Sequence, residues 1–189
     1  MEVKRKGSLL SFRPDIKVLD ATLRDGGLCN NFEFSDTFAK ALYEMNVAAG
    51  VDYMEMGYKA SKALFDVNKF GKYKFCDEED LRKIVGENKT DMKLAVMADV
   101  GRTDFAKDIG EKKDSVIDMV RVASYINEIP RAIEMIEYCK KRGYETCANV
   151  MAVSKAKDEE IDAALQMLGE SPVDVIYLVD SYGSLYPEQ

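Results

Sequence analysis

VIDMVRVASYINEIPRAIEMIEYCKKRGYETCANVMAV, residues 116–153, sets a helical pattern between two apolar, β-rich runs. Val116–Ala123 includes a strand by its density of valine and other apolar residues. Ile126, Ile129, Ile133 and Ile136 then recur at helical spacing, and Gly143 stops that helix. Glu145–Val153 reads as the next strand. Strands that are apolar on both faces and joined through a helix belong to a parallel sheet covered by helices.

The same alternation extends in both directions. Upstream, Lys17–Thr22, Val51–Met56 and Met92–Ala98 read as strands. Ser35 is an N-cap for a helix whose apolar stripe is Phe38, Leu42, Met45 and Ala49, ended by Gly50. Asp77 starts another helix, supported by the Glu78–Arg82 and Glu79–Lys83 pairs at i,i+4. Tyr58–Cys76 is a long excursion with a short helix, and Thr103–Lys113 needs only a short helix or loop. Downstream, Asp158 caps a helix with inner face Ile161, Ala164, Leu165 and Leu168, and Val173–Val179 is a sixth strand.

Six strands alternating with helices make an α/β fold, either doubly wound or a (β/α) barrel. No G-x-G-x-x-G or G-x-x-x-x-G-K phosphate loop accompanies them, which favours a TIM-barrel type that is incomplete, with about six of eight βα units. Residues 1–16 read as an N-terminal tail and 17–189 as a partial barrel domain. The first and sixth strands would be open edges, so a homo-oligomer is an expected way to cover them.

The 189 residues carry a net charge of −7, which argues against a nucleic-acid footprint; the one basic cluster, Lys4-Arg5-Lys6, reads as a solvated tail. No apolar run reaches membrane-spanning length and no signal peptide opens the chain, so the expected location is cytoplasmic. Cys29, Cys76, Cys139 and Cys147 form no C-x-x-C pair and read as free thiols. The chain has no histidine, and so lacks the commonest general base and transition-metal ligand.

Polar residues gather after the strands: Arg24-Asp25, Gly57-Tyr58, Asp99, Ser124, Ser154 and Asp180-Ser181. A carboxylate at a strand end beside the Gly26-Gly27 turn could hold a divalent cation. A neighbouring guanidinium presents a planar fork of donors to a developing enolate or carboxylate oxygen. An Arg–Asp ion pair tying two loops together is the alternative. Glu55 and Arg121, at strand positions, read either as support for that site or as an ion pair inside the barrel.

Asp20-Ala21-Thr22-Leu23-Arg24-Asp25-Gly26 resembles the first-strand signature of the DRE-TIM metallolyases, which include hydroxymethylglutaryl-CoA lyase, isopropylmalate and homocitrate synthases and 4-hydroxy-2-oxovalerate aldolase. Gly50–Gly57, Asp118–Thr146 and Val175–Pro187 resemble later segments of the hydroxy-oxovalerate aldolases in the same order. The resemblance implies that Asp25 ligates Mn²⁺ or Mg²⁺ and that Arg24 stabilises an enolate oxygen. It also implies that Ser181 touches a small-molecule 2-keto acid or aldol substrate, with Asn149 a further substrate-binding candidate. The implied activity is an aldolase or lyase acting on the carbon–carbon bond beside a 2-keto acid. A Claisen-type acyltransferase joining an acyl-CoA to a keto acid, and a non-catalytic fragment or binding module, are the alternatives. Two departures stand out. Leu28 occupies the position of the aldolases' histidine base, and the His-x-His metal ligands of the family's seventh strand are missing, so this chain is expected to bind metal weakly or not at all.

Overall fold

The computed structural model describes residues 15–186; Lys4-Arg5-Lys6, most of the expected tail and Pro187 lie outside them. Six strands form one sheet: β1 (Leu19–Asp20), β2 (Tyr53–Tyr58), β3 (Lys93–Asp99), β4 (Met119–Tyr125), β5 (Glu145–Met151) and β6 (Val175–Leu178). Each strand lies beside its predecessor in the chain, and every pairing is parallel. A doubly wound sheet would reverse its order at a switch point. This one never does, and it curls into an incomplete TIM-barrel-like half-barrel.

The helices are α1 (Thr22–Asn30), α2 (Asp36–Ala49), α3 (Glu78–Val85), α4 (Phe105–Asp108), α5 (Ile129–Lys141) and α6 (Asp158–Gly169). The main core lies between sheet and helices, where Met54, Leu94, Val96, Val120, Val122 and Val150 meet Leu81, Ile129, Ile136 and Leu168. Each such side chain contributes roughly 1.5–3 kcal/mol through burial. On the other sheet face, Ala95, Met119 and Cys147 form a small apolar layer flanked by Tyr53 and Val175. Because strand side chains alternate with period two, the next inward layer along the same strands is Glu55, Met97, Arg121, Asn149 and Tyr177. That layer is polar.

Several local expectations hold. Ser35 accepts the Phe38 N–H at 3.2 Å, Gly50 closes α2 at φ +72°, and the Glu78–Arg82 and Glu79–Lys83 pairs form at 3.7 and 3.1 Å. The excursion after β2 carries a single 3₁₀ turn, Lys72–Lys74. Two expectations fail. The inner face of α2 is Ala39, Tyr43 and Asn46, while Phe38 and Met45 are exposed. Tyr43 turns inward because its hydroxyl finds the Asn88 side-chain oxygen at 2.7 Å, and Phe38 stacks on Phe34 instead.

The first strand is the larger correction. It covers only Leu19–Asp20, and helix α1 begins at Thr22, so Arg24-Asp25-Gly26-Gly27 is helical rather than a turn. Asp20 starts the helix by accepting both the Thr22 N–H and its hydroxyl, at 3.2 and 2.7 Å. Glycines disfavour a helix interior by about 1 kcal/mol each, and packing overrides that here. Leu23 is fully buried, and the Phe32 ring lies so close over Gly27 that a Cβ there would sit 2.1 Å from it.

Candidate active site

The polar inward layer lies toward the carboxyl ends of the strands, where parallel barrels place their chemistry. At its centre is Glu55, fully buried on β2. Its Oε2 accepts from Arg24 Nε at 2.8 Å and from Arg121 Nη1 at 2.7 Å. Arg121 Nη2 also donates to Asn149 Oδ1 at 3.1 Å, and its guanidinium lies 5.0 Å from the centre of the Tyr177 ring. Arg24 Nη1 reaches outward to Asp25 Oδ1 at 2.7 Å. One carboxylate thus anchors two cations from two different elements.

Burial works against the charge of both arginines. The charge and hydrogen bonds of Glu55 more than offset it, so both guanidinia stay protonated more firmly than in water. Glu55 Oε1 and Arg121 Nε are buried without hydrogen-bond partners. Two partnerless atoms in the same layer, beside the Arg24 guanidinium, give the layer unused hydrogen-bonding capacity.

The rim adds Tyr58 and Asp99, both among the polar residues that gather after the strands, and Lys74, which the sequence reading did not single out. Tyr58, at the end of β2, has its hydroxyl under the influence of Arg24 and Asp99, and burial raises its pKa. Asp99, at the end of β3, is held above the ordinary carboxylate range by burial, with Arg102, Lys74 and Arg24 opposing that shift. Lys74, from the 3₁₀ turn, is buried among aromatic rings. Positions at strand ends were a usable signal for Tyr58 and Asp99. None existed for Lys74, whose ring neighbours are scattered along the sequence.

The sequence-derived site residues fall into two groups. Arg24, Asp25 and Asn149 join one hydrogen-bonded chain through Glu55 and Arg121. Ser181 stands elsewhere: its hydroxyl accepts the Ala152 N–H at 2.9 Å, tying the segment after β6 to the end of β5. Leu28 is exposed on α1.

The described residues alone do not complete a site for a divalent ion. Among the described residues, no group of three His, Cys, Asp or Glu side chains gathers to hold one. Asp25 offers a single carboxylate, 69% exposed and already paired with Arg24. A single carboxylate is a weak trap, because several fixed ligands normally share the cost of stripping water from an ion. No helix among the described residues is long and apolar enough to cross a membrane.

Curated relatives include 4-hydroxy-2-oxovalerate aldolase 6 of Rhodococcus jostii (strain RHA1), 24% identical over 173 residues, covering 92% of this chain and 48% of the relative. Aldolase 1 of Rhodococcus erythropolis (strain PR4 / NBRC 100887) is 26% identical, covering 93% of this chain and 50% of its own. The 4-hydroxy-2-oxovalerate aldolase of Geobacillus genomosp. 3 is 24% identical, with 92% and 50% covered. The chain therefore spans about half the length of these relatives. Among solved structures, the N-terminal domain of a Bacteroides vulgatus protein assigned as an aldolase superposes with a TM-score of 0.68 at 25% identity, covering 92% of this chain and 57% of the other. The model of the HMGL-like family matches residues 15–189, and the chain belongs to that family, within the DRE-TIM metallolyases.

Proposed function

We propose that this chain carries the enolate-stabilising part of an aldolase or lyase that acts on the carbon–carbon bond beside a 2-keto acid. The observation that carries the reading is Arg24: a guanidinium fixed at the mouth of the half-barrel by a fully buried carboxylate shared with Arg121. The names of the relatives support an aldolase.

In a retro-aldol cleavage the bond between the carbons α and β to the keto group breaks. The 4-hydroxyl gives its proton to solvent as its carbon becomes an aldehyde. The bonding pair forms the enolate double bond and the carbonyl π pair moves onto the keto oxygen, and the enolate carbon then takes up a proton to give pyruvate. A guanidinium already oriented at the keto oxygen stabilises the developing charge without reorganising during the reaction. Glu55 sets the position of Arg24 and keeps it charged. Arg121 and Asn149 hold Glu55 and line the floor of the same layer. Asp25, paired with Arg24 at the surface, is proposed as a ligand for a divalent ion, to which the described residues add no further donors. Ser181 is proposed as a substrate contact from the β6 end.

The test is release of pyruvate from a 4-hydroxy-2-oxo acid by this chain, with and without added Mn²⁺. The reading expects measurable release that falls by about a hundredfold or more in Arg24→Ala, the usual cost of losing one oxyanion-stabilising donor. No release under either condition, or release indifferent to Arg24, would overturn it for this polypeptide.

A further inference from the structure

Lys74 is only 6% exposed, yet it forms no ion pair among the described residues. Its Nζ lies 4.3 Å from the centre of the Phe65 ring, 4.5 Å from Tyr58, 5.0 Å from Phe32 and 5.7 Å from Phe70. Each ring face attracts the cation. Rings accept no conventional hydrogen bond, and among the described residues no protein oxygen is hydrogen-bonded to Nζ, which keeps an opening to solvent. Asp99 is the nearby carboxylate, but its ion pair is with Arg102, at 3.9 Å. Burial and Arg102 accordingly disfavour the charge on Lys74, and the pull of Asp99 does not make up the difference. A buried ammonium in this condition favours any anion that reaches it.

The position of the cage says which anion. Tyr58 supplies one of its walls, and the hydroxyl of the same residue is acted on by Arg24. Across one tyrosine, therefore, stand the guanidinium assigned to the reacting oxygen and an uncompensated ammonium. We infer that Lys74 is an anion subsite, which takes a second carboxylate of the substrate while Arg24 holds the reacting keto oxygen. The inference rests on the aldolase reading and narrows it to keto acids with a distal carboxylate. The rings surround the ammonium and fix where it stands while leaving it an opening to solvent, so the subsite is already in place before substrate arrives.

Binding of two probes with equal carbon chains isolates the second carboxylate. Calorimetry with 2-oxoglutarate and with 2-oxopentanoate should show the dicarboxylate binding about tenfold or more tightly, as one charge-assisted hydrogen bond in a buried site would give. Lys74→Met should abolish that preference and leave 2-oxopentanoate binding unchanged. In the wild-type chain, the Nζ resonance of Lys74 should shift with 2-oxoglutarate and stay in place with 2-oxopentanoate, a measurement that needs no variant. Equal affinity for the two probes, a preference that survives in Lys74→Met, or no binding of either probe would overturn the subsite. Equal affinity with binding still dependent on Arg24 would overturn the subsite alone and leave the aldolase reading intact.

Discussion

Two buried cation clusters stand at the mouth of this half-barrel, and they solve the same problem in opposite ways. Around Glu55, a fully buried carboxylate is shared by Arg24 and Arg121, so each charge has a partner of opposite sign. Around Lys74, four aromatic rings take the place of the carboxylate. With the Arg24–Asp25 pair included, the first cluster sets two carboxylates against two guanidinia and holds its geometry without a ligand. The second is held in shape but not neutralised, and so is the one that gains most from an incoming anion. On the proposed reading, the balanced cluster fixes the group that meets the reacting oxygen, and the other draws in the substrate's anion.

The comparison breaks most readily at Glu55. Replacing it as Glu55→Gln leaves buried Arg121 without a counter-ion and Arg24 with only the exposed Asp25, which should cost about 3–5 kcal/mol of unfolding free energy. Urea denaturation would measure it, and a loss below about 1 kcal/mol would show that the arginines are solvated rather than anchored by Glu55. Gly27→Ala should cost about 1–3 kcal/mol, because the new methyl drives into the Phe32 ring. Phe32 is also a wall of the Lys74 cage, so this variant should blunt the probe preference without touching Lys74 itself.

A smaller effect concerns pH. Burial raises the pKa of Asp99 in the folded state, so the native protein holds that proton to higher pH than the unfolded chain does. The associated stability is present below the unfolded carboxylate value and is lost as pH rises through the folded one. Asp99→Asn should therefore gain on the wild type as pH climbs above that range, by about 1 kcal/mol or less, seen as diverging denaturation midpoints. The smallest effect is the most telling. Lys74→Met should change stability by less than about 1 kcal/mol, since an apolar side chain of similar length suits an aromatic cage. A destabilisation as large as that of Glu55→Gln would mean that the two clusters do the same job.

Much of the fold was legible because it depends on short-range chemistry. Ser35, Gly50 and the Glu–Arg and Glu–Lys pairs act within a few residues, and they appear where the pattern placed them. Glu55 and Arg121 were legible as candidates from their strand positions and Asn149 from the family resemblance, though only the register of four neighbouring strands brings them to one level. The reading failed where long-range packing outweighed local preference. Gly26-Gly27 looked like a turn, but Phe32 closing over Gly27 stabilises a helix instead. On α2, the Tyr43 hydroxyl bonded to Asn88 rotated the buried face by one residue. Lys74 was invisible because no spacing rule relates Phe32, Tyr58, Phe65 and Phe70.

By itself, then, the sequence determined an alternating α/β chain, its family motif and the arginine–aspartate pair that opens it, since periodicity and local capping are written into neighbouring residues. Only the tertiary structure decided which charges share a partner and which is left without one. That outcome depends on distances between groups far apart in the chain, and burial makes those distances matter by removing the water that would otherwise screen them.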